Sequence, residues 1–365
     1  MSLKETLTTY WLRVQHELLP WLDDTVGPLG ERHQQLVSVL GLARIETFVP
    51  SLHGLPGRPA SERAALARAF VAKAVFNFPT TILLIEMLSA DKTLRRLCGW
   101  QRASAVPSEA TFSRAFAEFA ASALPSRLHE ALIKESHADR LVGHVSRDST
   151  AIEAREKPAA KPEQPTPVKH RRGRPRKDEV RPPAPIRRIE RQGGMSLSAM
   201  LAELPRHCDV GAKRNAKGHQ ESWIGYKLHI DTADCGVPIA ALLSSASMHD
   251  SLAAIPLSLI SAERVTNLYD VMDAAYCSAE IRDHSRSLGH VPLIDHNPRR
   301  GEKIEFAPAE AIRYNERTVA ERSNARLKDE FGGKHLMVRG DAKVMSHLMF
   351  GVLALSADQL MRLRQ

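Results

Sequence analysis

The sequence predicts an α/β domain over residues 139–365, preceded by an all-α region over residues 1–138. Three observations carry that division. Up to about Leu132, apolar residues recur at helical spacing, as in ASERAALARAFVAKAVFNF and TTILLIEMLSADKTLRRLCGW. From Leu141 short β-branched runs alternate with helical ones, which argues for a mixed sheet flanked by helices. Between about Glu156 and Arg191 the composition breaks, with eight prolines, many Lys and Arg and almost no large apolar residue. Such a segment cannot bury enough surface to fold alone, so it reads as an extended basic insertion within the second block.

Taken in order, residues 1 to about 55 read as helical, and Pro56, Gly57 and Pro59 then punctuate the chain. A second helical block follows to about Leu132. Within it Pro107-Ser108 marks a helix start, with Ser108 as N-cap and Glu109 in the first turn. Phe112, Phe116 and Phe119 give that helix an apolar stripe. A short helix, a turn at Gly99-Trp100 and this helix resemble a helix-turn-helix, and a plain helical bundle fits the same pattern. LVGHVSRDSTAI reads as a strand ending near Asp148. After the insertion, WIGYKLHIDTADCGVPIAALLSSA reads as two strands joined at Asp234-Cys235-Gly236. NLYDVMDAAY is a strand ending in Asp273, with a helix to about Leu288, and HVPLIDH is a fourth short strand. AIRYNERTVAERSNARLKDEF reads as one helix, and HLMFGVLALSADQLMRL as an apolar helix after it.

The chain has 365 residues, 43% hydrophobic and 25% charged, enough for two or three packed domains. A net charge of +9 and a pI near 9.5 favour a polyanionic partner, either nucleic acid or an anionic membrane surface. No apolar run reaches the roughly 18 to 20 residues that span a bilayer, so no membrane association is expected. The N-terminus MSLKETLTTYWLRV lacks a signal-peptide core. Cys98, Cys208, Cys235 and Cys277 form no C-x-x-C pair, which argues against a disulfide framework or zinc finger and for a reduced, cytosolic compartment. His207, Cys208 and Asp209 read as ordinary polar residues rather than a metal cluster. No Walker loop or dinucleotide fingerprint is present. In the insertion, Arg171-Arg172-Gly173-Arg174-Pro175-Arg176-Lys177 resembles an AT-hook, whose Arg172, Arg174 and Arg176 could lie in a minor groove. Sequence-independent phosphate contact explains the same residues more simply.

Tyr314, Arg317, Glu321 and Lys328 are the most informative set. Their offsets place all four side chains in a stripe roughly 60° wide if the segment is one helix. A carboxylate flanked by two cations and a phenol suits a site that holds a divalent metal and a phosphodiester together. A charged, solvated helix is the plainer alternative. Asp148 and Asp273, each at a predicted strand end, could converge with Glu321 on two metal ions, and such hard oxygen ligands favour Mg²⁺ or Mn²⁺.

Asp148 lies in R-D-S-T-A-I, Asp273 in V-M-D-A-A-Y and Glu321 in Tyr-(2)-Arg-(3)-Glu-(6)-Lys, with G-Y-K-L-H-I and M-H-D-S between the aspartates. In this order, with V-P-S-E-A-T-F-S-R upstream, the pieces resemble the DDE transposases of the insertion-sequence four superfamily and its insertion-sequence five relatives. The resemblance covers roughly residues 60 to 360. It implies a ribonuclease-H-like catalytic core, with Asp148, Asp273 and Glu321 as the metal-binding triad for two Mg²⁺ or Mn²⁺ ions. Tyr314, Arg317 and Lys328 would contact DNA near the cleavage point. The implied partners are double-stranded DNA at element ends and target, and the implied setting is the bacterial cytoplasm and nucleoid. A homodimer on DNA is compatible with it but is not fixed by the residues. A metal-dependent nuclease of the same fold and an inactive DNA-binding protein are the alternative readings.

Two features depart from the family pattern. Ala275 stands before Tyr276 where a Gly is frequent. Only 47 residues separate Asp273 from Glu321, which leaves little room for the β-rich insertion some members carry there. His229 reads as a packed strand histidine, His249-Asp250 as a turn that could lie near the site, and Trp100 and Trp223 as packing residues. Lys213, Arg214 and Lys217 read as either DNA contacts or a solvated loop.

Overall fold

The computed structural model describes residues 17, 18, 21, 24, 25, 27–49, 62–160, 186–214, 218–298 and 302–363. From residue 27 on, and among the described residues, the helices that precede the sheet are α1 (Glu31–Ala43), α2 (Arg63–Val75), α3 (Thr80-capped, Thr81–Ala90), α4 (Lys92–Cys98), α5 (Glu109–Ala121) and α6 (Leu124–Ser136). Their ends follow local chemistry. The Thr80 hydroxyl accepts from the Leu83 N–H at 3.0 Å, the Asp91 carboxylate accepts from Leu94 at 2.9 Å, and Gly99 closes α4 at φ 114°. Ser108 occupies the N-cap position of α5 as expected, yet its side chain makes no capping bond. Phe112, Phe116 and Phe119 surround Phe70 of α2, with ring centroids 5.8, 4.9 and 6.2 Å away. Between α4 and α5 the chain runs through residues 99–108, with a 3-10 turn at Ala103–Ala105 and a buried Trp100. That link is longer than the three or four residues of a helix-turn-helix, so the bundle pattern describes this block better.

The second block begins with β1 (Leu141–Glu153) and continues with α7 (Arg188–Gln192), α8 (Leu197–Glu203), β2 (Asp209–Arg214), β3 (Gln220–Ala233) and β4 (Pro238–Ser245). Then come α9 (Ser251–Ala262), β5 (Thr266–Met272), α10 (Ala279–Ser287), β6 (Val291–Ile294), α11 (Pro308–Asn315), α12 (Thr318–Glu330) and α13 (Asp341–Arg362). The sheet order is β2-β3-β1-β5-β6, with β4 also paired to β3. Strand β3 runs antiparallel to β1, β2 and β4, whereas β1, β5 and β6 are parallel to one another. This is the mixed sheet with helices that the alternation predicts. Strand β3 bends past β1 at Gly225, which has φ 151°; a Cβ there would lie 2.0 Å from the Ile152 carbonyl oxygen.

Four expectations need correction. Strand β1 does not end near Asp148: it continues to Glu153, because Asp148–Glu153 keep pairing with Ile230–Gly225 of the long β3. Residues 311–331 are not one helix, since α11 closes at Glu316 and α12 starts after Arg317. The basic insertion is narrower than 156–191: Ile189 of α7 is buried, and Ala159 donates its N–H to the Cys208 carbonyl at 2.8 Å. Residues 161–185, with Arg172, Arg174 and Arg176, lie outside the described residues. Finally, α13 is long and apolar enough to cross a membrane, although 83% of its apolar window is buried inside the fold.

Helix α13 explains that burial. Phe350 stacks on Phe70 at 5.8 Å, and Leu348, Leu353, Leu355 and Leu360 have no exposed surface. The helix packs on α1, α2, α5, α6 and β4, so one apolar cluster reaches from Leu36 to Leu360 and includes residues of both blocks.

Candidate functional site

The parallel register of β1 and β5 ends with Arg147 beside Met272, so Asp148 and Asp273 come next on the two strands. Met272 in turn sits beside Ile294 of β6, and the Asp295 N–H donates to the Met272 carbonyl at 3.2 Å. Three aspartates thus follow the same row of adjacent strands. Asp148 is half-buried and accepts from Asn324 Nδ2 of α12 at 2.9 Å. Burial pushes its carboxyl up to about 6; the charge of Asp273 adds to this, and the Ser149 backbone bond, Asn324 and Arg317 oppose it. The Asp273 carboxylate caps the following 3-10 turn through the Ala275 N–H at 2.9 Å. Burial also raises its pKa, with Asp250 and Asp295 adding negative field and Arg317 countering it. Ala275 is not among the positive-φ residues, so its backbone does not require glycine.

Helix α12 lies across β1 and β3. Positions 317, 324 and 328 share a face at helical spacing, which brings Arg317 and Asn324 to Asp148. Arg317 Nη2 bonds Glu321 Oε1 at 2.8 Å and lies over the Tyr314 ring at 5.8 Å. Burial works against the Arg317 charge, but the fields of Tyr314, Glu321, Asp148 and Asp273 outweigh it. Tyr314 itself packs at a tilt against Phe306, ring centroids 4.8 Å apart. Lys328 is half-buried: burial and the neighbouring Lys213 lower its pKa, against Glu153, Asp329 and Asp148. The broken helix therefore still collects Tyr314, Arg317, Glu321 and Lys328 along one side of the site.

The three predicted carboxylates are not gathered equally. Asp273 is close enough to raise the proton affinity of Asp148, whereas Glu321 is half-exposed and turned to Arg317. Among the described residues no group of three or more His, Cys, Asp or Glu side chains is arranged to hold a metal ion. The donor chemistry of the aspartate pair does fit a divalent cation. Both carboxylates accept from neutral donors, the Asn324 amide and the Ser149 backbone for Asp148 and the Ala275 N–H for Asp273, and the nearby Arg317 charge only partly offsets theirs. Glu321 could join them only by leaving Arg317.

Several neighbours went unread in the sequence. Asn324 is a direct partner of Asp148, and Asp295 follows L-I as Asp273 follows V-M, a similarity too short to separate from ordinary turn formers. The charge of Asp250 acts on Asp273, so the M-H-D-S turn lies beside the site, and Lys227 Nζ bonds Asp250 Oδ1 at 2.9 Å. The buried Tyr276 phenol has no hydrogen-bond partner among the described residues; burial, then Asp250, Asp148 and Asp273, push its pKa up. Other residues take structural roles. Neutral His229 bonds the Ser244 hydroxyl at 2.8 Å, Trp223 Nε1 donates to the Tyr226 carbonyl at 3.0 Å, and all four cysteines are free. Lys213 sits on β2, 3.9 Å from Glu221.

Comparison with known families accounts for this arrangement. The family model described as Transposase DDE domain matches residues 144–357, a span that contains every site residue named above. A second, described as Transposase domain (DUF772), matches residues 22–118. Comparison with curated proteins and with solved structures gives no match. DDE transposase domains transfer phosphoryl groups on DNA with the help of divalent metal ions. With more than half of its length matched, the chain belongs to the Transposase DDE domain family, the transposases of insertion elements.

Proposed function

We propose that this transposase binds the ends of its element as double-stranded DNA, cleaves them, and joins them to target DNA at a site built on Asp148, Asp273 and Glu321. One observation carries the reading: two half-buried aspartates end a parallel register side by side, with raised pKa values and only neutral hydrogen-bond donors. The antiparallel β3–β1 pair followed by parallel β5 and β6 supports a ribonuclease-H-like core. Two bound Mg²⁺ or Mn²⁺ ions would activate a water or a 3′-hydroxyl and stabilise the departing oxygen of an in-line displacement. The chain's own residues set the stage for this. Asn324 orients Asp148, and the 3-10 turn orients Asp273. Arg317, in contact with Tyr314 and Glu321, would exchange its carboxylate partner for a phosphate when DNA binds, which would free Glu321 towards the aspartates. Lys328 and Lys213 extend the cationic side along the DNA. Assembly as a homodimer on paired element ends belongs to the same reading, as does membership of the insertion-sequence four and five group.

A single-turnover assay on duplexes bearing the element's terminal repeats, with Mg²⁺ or Mn²⁺ and an unlabelled target, tests it. Cleaved ends joined to target are expected. Cleavage without joining would reassign the protein as a nuclease of this fold, and binding without cleavage as an inactive DNA-binding protein.

A further inference from the structure

A second basic site lies apart from the carboxylates, in a cavity of about 500 Å³ between the N-terminal helices and the start of α13. Its wall carries Lys73, Arg155, Arg339 and Lys343 against a single acid, Glu109, and its floor includes Phe116. His347 also lines it but is neutral, since burial lowers its pKa to about 3.

Lys73 is the unusual member. It lies inside α2 with 7% of its surface exposed, and its ammonium has one long contact, 3.5 Å to the Pro79 carbonyl. It has no carboxylate partner among the described residues, and burial lowers its pKa to about 8. A buried ammonium is costly unless something neutralises it. Because Lys73 lines the cavity, an anion entering there would supply that charge. The rim is built rather than loose. Arg339 Nε donates to the Arg155 carbonyl at 3.1 Å, and the Gly340 N–H donates to the Glu156 carboxylate at 3.2 Å, which pins residues 339–340 beside the end of β1.

We infer that this cavity binds a phosphodiester of the DNA backbone, as an anchor distinct from the site of chemistry. Its location suits that role. Arg155 follows Asp148 by seven residues, mostly along β1, a reach of roughly 20 Å at 3.3 Å per residue. That span is about six base pairs at 3.4 Å each, so one duplex could touch both places within a turn. The volume exceeds what a single phosphate fills and leaves room for the adjoining sugars.

The inference rests on the proposed DNA reading, and the experiment separates the two. Binding of a terminal-repeat duplex to the full chain would be titrated against salt in chelator, so that no strand is cut. Arg339→Gln with Lys343→Gln, both exposed, should weaken binding roughly tenfold or more and lower the slope of log affinity against log salt by about 1.8. Lys73→Met should weaken it further. Lys134→Gln with Arg286→Gln, which removes equal charge elsewhere, should leave the slope nearly unchanged. If Lys73→Met fails to fold in a melting control, the surface pair still decides. Equal slopes for the two double variants would overturn the inference, and so would tight binding of inorganic phosphate by Lys73 and its neighbours with no effect on DNA affinity. No DNA binding by the unaltered protein would instead overturn the functional reading itself.

Discussion

Arg147 and Asp148 are neighbours on β1, face opposite sides of the sheet, and treat charge in opposite ways. Arg147 is 2% exposed and Asp231 is fully buried, and they meet in two parallel bonds of 2.7 and 2.6 Å. The Ser261 hydroxyl donates to the same Asp231 carboxylate at 2.6 Å. Both charges of this pair are answered within the fold. On the other side, Asp148 accepts only neutral donors, the Ser149 backbone and the Asn324 amide, and feels the repulsion of Asp273, which the field of Arg317 does not cancel. Buried charge that is fully paired belongs to the architecture, whereas buried charge left short of partners marks where an external cation or phosphate is expected.

The largest test of this contrast removes the unanswered charge. Asp148→Asn, Asp273→Asn and Glu321→Ala should each reduce cleavage to background while leaving DNA affinity within a few-fold. Asp148→Asn should also stabilise the protein at neutral pH. Its folded pKa, about 6, lies above the ordinary 3.8, so its contribution to stability is whole below 3.8 and is lost as pH rises through 6. Melting curves should therefore show the variant ahead at pH 7 by up to about 3 kcal/mol, with the gap closing near pH 4. A lower melting temperature at pH 7 would mean that the carboxylate is already neutralised.

The converse change strikes the answered side. Asp231→Asn should destabilise the fold by about 3 to 5 kcal/mol, because it strands the Arg147 guanidinium. Arg147→Met combined with Asp231→Leu should cost clearly less than either single change in denaturant titrations. A double variant as unstable as the sum of the singles would show that the pair acts independently.

Next in size are the cations beside the site. Arg317→Ala and Lys328→Ala should slow cleavage roughly 10- to 1000-fold in single turnovers. Their melting should move little, since exposed or half-exposed ion pairs contribute about 0 to 1 kcal/mol. Lys334→Ala, outside this face, should stay near the unaltered rate; equal effects at all three positions would return α12 to an ordinary charged helix. The smallest effect is expected at Asp295. Removing its field by Asp295→Asn should lower the pKa of Asp273 and shift the acid limb of the cleavage profile to lower pH, with only a few-fold change in plateau rate. A limb that stays in place would remove Asp295 from the electrostatics of the site.

What could be read in advance depended on how local the determinants are. The α/β alternation, the hairpin at Asp234-Cys235-Gly236 and Asp273 after β5 rest on patterns of a few residues, and the structure repeats them. The length of β1 rests on a remote partner: nothing in R-D-S-T says that β3 will be long enough to hold it to Glu153. Strand β2 is illegible for the same reason, since G-A-K-R acquires strand geometry only against β3. The break at Glu316-Arg317 has neither Gly nor Pro to announce it. Helix α9, apolar and carrying Pro256, shows no helical stripe because most of it is enclosed. At the site, Asp148, Asp273, Glu321 and Arg317 stand out only in combination, through the spacing of the Tyr-Arg-Glu-Lys set and the family resemblance. Asn324 and Asp295 do not stand out, because their importance comes from tertiary neighbours rather than from their own sequence context.

Helix α13 has a consequence for the order of events at the ribosome. The aromatic nest around Phe70 is closed by Phe350, and α1, α2, α5 and α6 all rest on this last helix. Neither block can complete its interior until residues 341–362 have emerged from the exit tunnel. Shorter nascent chains would display the apolar faces of the N-terminal helices without cover, an open invitation to chaperones and proteases. A chain interrupted before Asp341 would thus be cleared rather than accumulate as a stable fragment.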